Sequence, residues 1–167
     1  ASGQRFISPR GTEPMTKEPR LKAAIAMSPN ARNKNQLEQQ FGELRIPVLF
    51  LTGTADGSVL GDGTKPEDRL LPFQYAPGPG KALAVLEGAD HMIFNGHQLR
   101  RKQTPRDAVI QKDVKALTLA FWEANLEGRS GVDVISAFDA SGFQTRIAAE
   151  VKGFDPSLYM TEETARK

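Results

Sequence analysis

The chain has 167 residues, of which 39% are hydrophobic and 25% are charged, which is typical of one globular domain. Its 22 basic and 20 acidic side chains give a net charge of +2. This excess is too small to indicate a nucleic-acid interface, and no basic stripe is interleaved with aromatic residues. The absence of cysteine excludes disulfides and thiol chemistry within these residues, and no apolar run is long enough to predict a membrane-spanning helix.

The first predicted elements are a loop, a strand and a short helix. Residues 8–20 have the proline-, glycine- and charge-rich composition of a loop. The segment LKAAIAMSP (21–29) is apolar on both faces, which favours a buried strand of a parallel sheet, although a buried helical turn fits the same pattern. A weak helix is predicted over residues 33–44.

Two further strands follow, separated by a long loop. The segment IPVLFLTG (46–53) is the clearest strand, because it is continuously apolar and carries Pro47 where a missing N–H is tolerated. A glycine- and proline-rich loop comes next, with a brief helical turn near Pro66–Leu71. The segment KALAVLEG (81–88) is the third predicted strand.

The most distinct helix is predicted over residues 104–128. Thr104 fits the N-cap position, Pro105 the first helical position, and Asp107 lies three residues after the cap. One apolar stripe is expected to face the core, formed by Ile110, Val114, Leu117 and Phe121. Residues 129–167 have no clear pattern, so the predicted organisation is a domain portion over 1–128 and an extension of uncertain structure over 129–167.

Apolar strands that alternate with helices predict an α/β fold with a parallel sheet. Asp56 follows the second strand and His91 follows the third. Ligands of such sheets bind outside the carboxyl ends of the strands, so Asp56 and His91 should emerge side by side if their strands are neighbours. A carboxylate beside an imidazole orients the ring and stabilises the imidazolium formed in proton transfer. We therefore take Asp56 and His91 as the candidate catalytic residues.

Three segments, RLKAAIAMSP, IPVLFLTGTADG and ALAVLEGADHMIF, resemble the last three strands of an α/β-hydrolase. The similar group is the dienelactone hydrolase and platelet-activating-factor acetylhydrolase-like esterases. This resemblance implies a Ser-Asp-His triad in which Asp56 and His91 are the acid and the base. It also implies a small-molecule or lipid-like ester substrate, no cofactor, and relatives that are often exported from bacteria.

The sequence departs from that family because it contains no G-x-S-x-G nucleophile elbow. We therefore expect the C-terminal part of an α/β-hydrolase fold, contributing Asp and His to a serine-dependent carboxylic-ester hydrolase and inactive alone. The strand at Leu21–Met27 would then be an open sheet edge. Such an edge predicts association with a missing N-terminal half or self-association. The alternative is a non-catalytic orphan half-domain that binds a partner through this edge.

Other polar residues have simpler interpretations. Asp56, Asp62 and Asp68 lie among glycines, but their spacing does not match a calcium-binding loop, and turn formation explains them better, so no metal site is expected. Asp90 is interpreted as a turn or cap residue and His97 as a loop residue. The basic run RRKQTPR (100–106) is interpreted as an ordinary loop, with attraction of anionic substrates as the alternative.

Overall fold

The computed structural model describes residues 6–8, 11–13, 18–31, 34–59, 61–77, 80–96, 104–127 and 147–149. Its strands are β1 (Phe6–Ser8), β2 (Gly11–Glu13), β3 (Ala24–Met27), β4 (Val48–Ala55), β5 (Ala82–Asp90) and β6 (Ile147–Ala149). Its α-helices are α1 (Leu37–Phe41), α2 (Leu71–Tyr75) and α3 (Pro105–Leu126). Short 3-10 turns lie at Lys34–Gln36, Pro66–Leu70 and Ile93–Asn95.

The main sheet has the strand order β3-β4-β5-β6. β3 pairs with β4 and β4 pairs with β5 in parallel, whereas β6 pairs antiparallel with β5. The chain is therefore an α/β protein with three parallel strands flanked by helices, as the sequence predicts. β1 and β2 form a separate antiparallel pair.

Both faces of β4 are buried, which explains its continuous apolar sequence. Leu49 and Leu51 face the cluster that contains residues of α3, and Val48 and Phe50 face the cluster that contains residues of α1 and α2. Phe50 meets the ring of Phe73 edge-on at a centroid distance of 5.7 Å. The sheet thus lies between two apolar layers.

α3 begins as the sequence predicts. The Thr104 hydroxyl accepts a hydrogen bond from the Asp107 amide at 3.3 Å, and the Asp107 carboxylate accepts one from the Thr104 amide at 2.7 Å. The predicted stripe faces the sheet, with Ile110, Leu117 and Phe121 buried and Val114 partly buried against them. Within the described ranges, no helix combines the length and the apolar character needed to cross a membrane.

Two features of the sheet differ from the sequence-based expectation. β3 is only half-buried and Met27 is 40% exposed, and β3 lies at one edge of the described sheet. The strand is therefore not buried on both sides as predicted. β6 lies within residues 129–167, for which the sequence predicted no element, and it joins the same sheet as the preceding strands. The division at residue 128 stays a prediction.

The pairing of β4 with β5 is interrupted by a bulge near the carboxyl edge. Gly53 lies opposite Leu86, but Ala55 lies opposite Asp90, so β5 contains two more residues than β4 over this interval. Regular pairing would place Gly88 opposite Ala55. Gly88 has φ +71°, a left-handed conformation that glycine adopts without strain and that is common in bulges. The bulge therefore advances β5 by two residues and brings the residue after Asp90 beside the residue after Ala55.

β5 lies very close to β4 at Gly53. A Cβ atom on this residue would overlap the carbonyl oxygen of Ala89 and lie 2.5 Å from the Ala89 Cβ. Only glycine fits this position without movement of one strand. At Gly57 the nearest atom to an added Cβ, the Thr64 oxygen, is 3.6 Å away, which is an ordinary contact.

We expect Gly53→Ala to lower the free energy of unfolding by about 1–3 kcal/mol, because the added methyl group overpacks the bulge. The matched control Gly57→Ala should change it by no more than about 0.5 kcal/mol. Urea denaturation followed by circular dichroism measures both. Equal stability of the two variants would show that the strands do not approach closely at Gly53.

Candidate functional site

Asp56 follows the last residue of β4, and its side chain is fully buried. The Thr52 hydroxyl donates to Oδ2 at 2.9 Å, and the Ser28 hydroxyl donates to Oδ1 at 2.8 Å. A carboxylate without solvent needs such partners, because desolvation of an unpaired charge is costly. Both oxygens of Asp56 are therefore held in place by hydroxyl groups, one within β4 and one directly after β3.

His91 follows the last residue of β5, and its side chain is 29% exposed. Its Nδ1 atom lies 3.2 Å from Asp56 Oδ1. The Asp90 carboxylate accepts hydrogen bonds from the amides of Met92 and Ile93, so Asp90 forms the turn that was predicted for it. The structure thus brings Asp56 and His91 together at the carboxyl edge of the sheet, while their assignment to catalysis stays a prediction.

Ser28 joins Asp56 and His91 in a cluster of polar side chains at the carboxyl edge of the sheet. It was not identified from the sequence. It follows β3 directly, and its Oγ atom lies 2.6 Å from His91 Nδ1 in addition to its contact with Asp56. The signal that identified Asp56 and His91, a polar residue after a parallel strand, applies equally to Ser28. That signal was not applied to Ser28, because residues 21–29 were interpreted only for the strand that their apolar pattern predicts.

Arg69 is the fourth member, and its side chain is 4% exposed. Its Nε atom donates to the Asp56 carbonyl at 3.2 Å and lies 3.4 Å from Asp56 Oδ1. Its Nη1 atom donates to the carbonyls of Ser28 and Pro29 at 3.4 and 3.3 Å, and its Nη2 atom lies 3.5 Å from His91 Nδ1. One buried guanidinium therefore links the segments that follow all three parallel strands.

The acidic residues considered for a metal site have other partners. The Asp62 carboxylate accepts from the Thr64 amide at 3.0 Å, and hydrogen bonds with Ser58 and Thr64 lower the pKa of Asp62 to about 2. Asp68 forms an ion pair with Lys34 at 2.6 Å, and that hydrogen bond lowers the pKa of Asp68. Within the described residues, no group of three or more potential metal ligands lies together. His97 and residues 100–103 of the basic run lie outside the described residues.

Neither a family model nor a solved structure matches the chain significantly. Curated relatives do match over short stretches. The chain is 54% identical over 46 residues to 3-oxoacyl-[acyl-carrier-protein] synthase 2 of Coxiella burnetii and 52% identical over 46 residues to the protein of the same name of Vibrio harveyi, which covers 28% of this chain and 11% of each relative. It is 42% identical over 43 residues to the tetracenomycin polyketide synthase ketoacyl synthase beta subunit of Streptomyces glaucescens, over 26% of this chain and 10% of that protein. The chain thus spans about a tenth of the length of these relatives.

These relatives overturn the predicted resemblance to dienelactone hydrolase-like esterases. The prediction of a serine-dependent carboxylic-ester hydrolase, or a part of one, is wrong, and so is the ester substrate that it implied. The orphan half-domain alternative gains no support from them either. The physical reason for the error is that apolar strands followed by glycine and polar residues occur in parallel sheets of many functions. Sequence segments of this kind therefore indicate the sheet and do not specify one reaction.

The hydrogen bonds of Arg69 predict a large effect on stability. We expect Arg69→Met to lower the free energy of unfolding by about 3–5 kcal/mol, because the substitution leaves the buried carboxylate of Asp56 without its cation. Arg45 is a matched control, since it also donates to two backbone carbonyls but is exposed. Arg45→Met should change stability by about 0.5 kcal/mol or less in the same thermal or urea denaturation. Similar losses in both variants would contradict a special role of Arg69.

Proposed function

We propose that this chain takes part in the chemistry of acyl groups carried as thioesters on acyl-carrier protein. The observation that carries this proposal is the 54% identity over 46 residues to 3-oxoacyl-[acyl-carrier-protein] synthase 2 of Coxiella burnetii. The match covers 28% of the chain. The proposal is therefore limited to the class of substrate, an acyl thioester, and to the partner, acyl-carrier protein. The complete synthase reaction would also need residues outside the matched stretch.

The synthesis of a 3-oxoacyl group joins the carbonyl carbon of one acyl thioester to a carbon atom of a second thioester. The attacking carbon gives up a proton or, if it carries a carboxyl group, carbon dioxide, and the C–S bond of the first thioester breaks as the new C–C bond forms. Negative charge develops on the carbonyl oxygen in between, and the departing thiolate takes up a proton. A group that holds or supplies a proton at the rim of the site is therefore useful. These 167 residues contain no cysteine, so the thioester sulfur belongs to the carrier or to a residue outside them.

We assign proton transfer in this chemistry to His91, oriented by Asp56. The buried carboxylate of Asp56 fixes one side of the ring through Nδ1, and the ring remains partly exposed. Ser28, Arg69 and Asp56 all contact the imidazole at Nδ1, and in this proposal Nε2 meets the bound molecule. A partly exposed imidazole held by a buried carboxylate can accept or donate a proton at its exposed nitrogen.

Octanoyl-acyl-carrier protein tests this proposal directly. Its addition to the ¹⁵N-labelled chain should shift the ring signals of His91 more than unacylated carrier does, because the thioester would lie against Nε2. The chain has two histidines, so His91→Gln and His97→Gln assign the ring signals unambiguously in long-range ¹H–¹⁵N spectra. No shift, or the same shift with unacylated carrier, would rule out a thioester site at His91.

A further inference from the structure

Ser28 has an unusual backbone conformation at the centre of the cluster. Its φ is +48°, the only positive φ found for a non-glycine residue in the described part of the chain. Side chains of L-residues are strained in this region, whereas glycine adopts it freely. A serine at this position nevertheless places its hydroxyl group within hydrogen-bond distance of both His91 and Asp56. Strained residues of this kind are found where the surrounding structure holds a side chain for a purpose.

The two charged neighbours of His91 Nδ1 require opposite protonation states of that atom. The Asp56 carboxylate only accepts hydrogen bonds and lies 3.2 Å away, so it favours a proton on Nδ1. The Arg69 guanidinium only donates, and its Nη2 lies 3.5 Å away, so it favours a lone pair on Nδ1. The carboxylate is the nearer of the two and favours Nδ1–H, but the guanidinium opposes it, so these two contacts fix the tautomer of the imidazole only weakly.

The hydroxyl group of Ser28 resolves this conflict. It donates its proton to Asp56 Oδ1 at 2.8 Å, so its oxygen is left as an acceptor toward His91 Nδ1 at 2.6 Å. The shortest contact of the imidazole is therefore with an acceptor, which favours the Nδ1–H tautomer. The proton order is then His91 Nδ1–H to Ser28 Oγ, and Ser28 Oγ–H to Asp56.

We propose that Ser28 is a positioning residue that fixes neutral His91 as the Nδ1–H tautomer, in which Nε2 carries the lone pair. The functional meaning of this tautomer depends on the proton-transfer role proposed for His91, because only an unprotonated Nε2 can accept a proton from a bound molecule. Among the described residues, the charged groups that contact the ring are Asp56 and Arg69, while the adjacent Asp90 accepts hydrogen bonds from the amides of the turn. Ser28 therefore acts on the reaction through His91.

Ring ¹⁵N chemical shifts of the full chain without any ligand test this inference. An unprotonated ring nitrogen resonates far downfield of a protonated one, so the spectrum of neutral His91 reports the tautomer. We expect the wild-type chain to have Nδ1–H as its main form. Ser28→Gly keeps the left-handed backbone without strain and removes the hydroxyl, and we expect it to lower the fraction of neutral His91 in the Nδ1–H form. Ser28→Ala should behave in the same way.

The matched control is Ser58→Ala, which removes a hydroxyl group that contacts the amide of Asp62 elsewhere on the chain. It should leave the His91 tautomer unchanged. An Nε2–H tautomer in the wild-type chain overturns the inference without any variant. The same fraction of Nδ1–H in Ser28→Gly as in the wild-type chain overturns it as well. The tautomer is measured without carrier protein. A wrong tautomer is therefore distinguishable from a failure of octanoyl-acyl-carrier protein to bind.

Discussion

The buried carboxylate of Asp56 is the constraint on which the arrangement at the sheet edge depends. A fully buried charge is tolerated only when its partners satisfy it, and Asp56 receives hydrogen bonds from Thr52 and Ser28 as well as the cation of Arg69. Each partner belongs to a different segment of the chain. Satisfying one carboxylate therefore draws these segments together, and His91 joins them through Nδ1.

The position of His91 depends equally on the geometry of the backbone. Parallel strands end at the same edge of a sheet, but regular pairing from Gly53 onward would place Gly88, not Asp90, opposite Ala55. The bulge shifts this register, and the close approach at Gly53 allows it. Asp56 and His91 therefore meet for two reasons. The sheet buries Asp56 after β4, and the bulge in β5 places His91 beside it.

The sequence predicted those features that follow from local periodicity. The three apolar strands, the capped start of α3 and the nearness of Asp56 to His91 follow from burial patterns and from the shared edge of parallel strands. Arg69 could not be predicted, because its contacts depend on how the segment after β4 folds back across the edge. The left-handed conformation of Ser28 could not be predicted either, because serine does not favour positive φ. The chemistry was misassigned because short strand-and-turn strings reflect the sheet more than the reaction.

The most direct test of the account is the coupling free energy between Asp56 and His91, measured by urea denaturation of Asp56→Asn, His91→Gln and the double variant. If the two side chains share a contact at the sheet edge, their effects on the free energy of unfolding should be non-additive by about 0.5–3 kcal/mol. Additivity within about 0.3 kcal/mol would mean that the two side chains do not interact, and the account of the site would then be wrong.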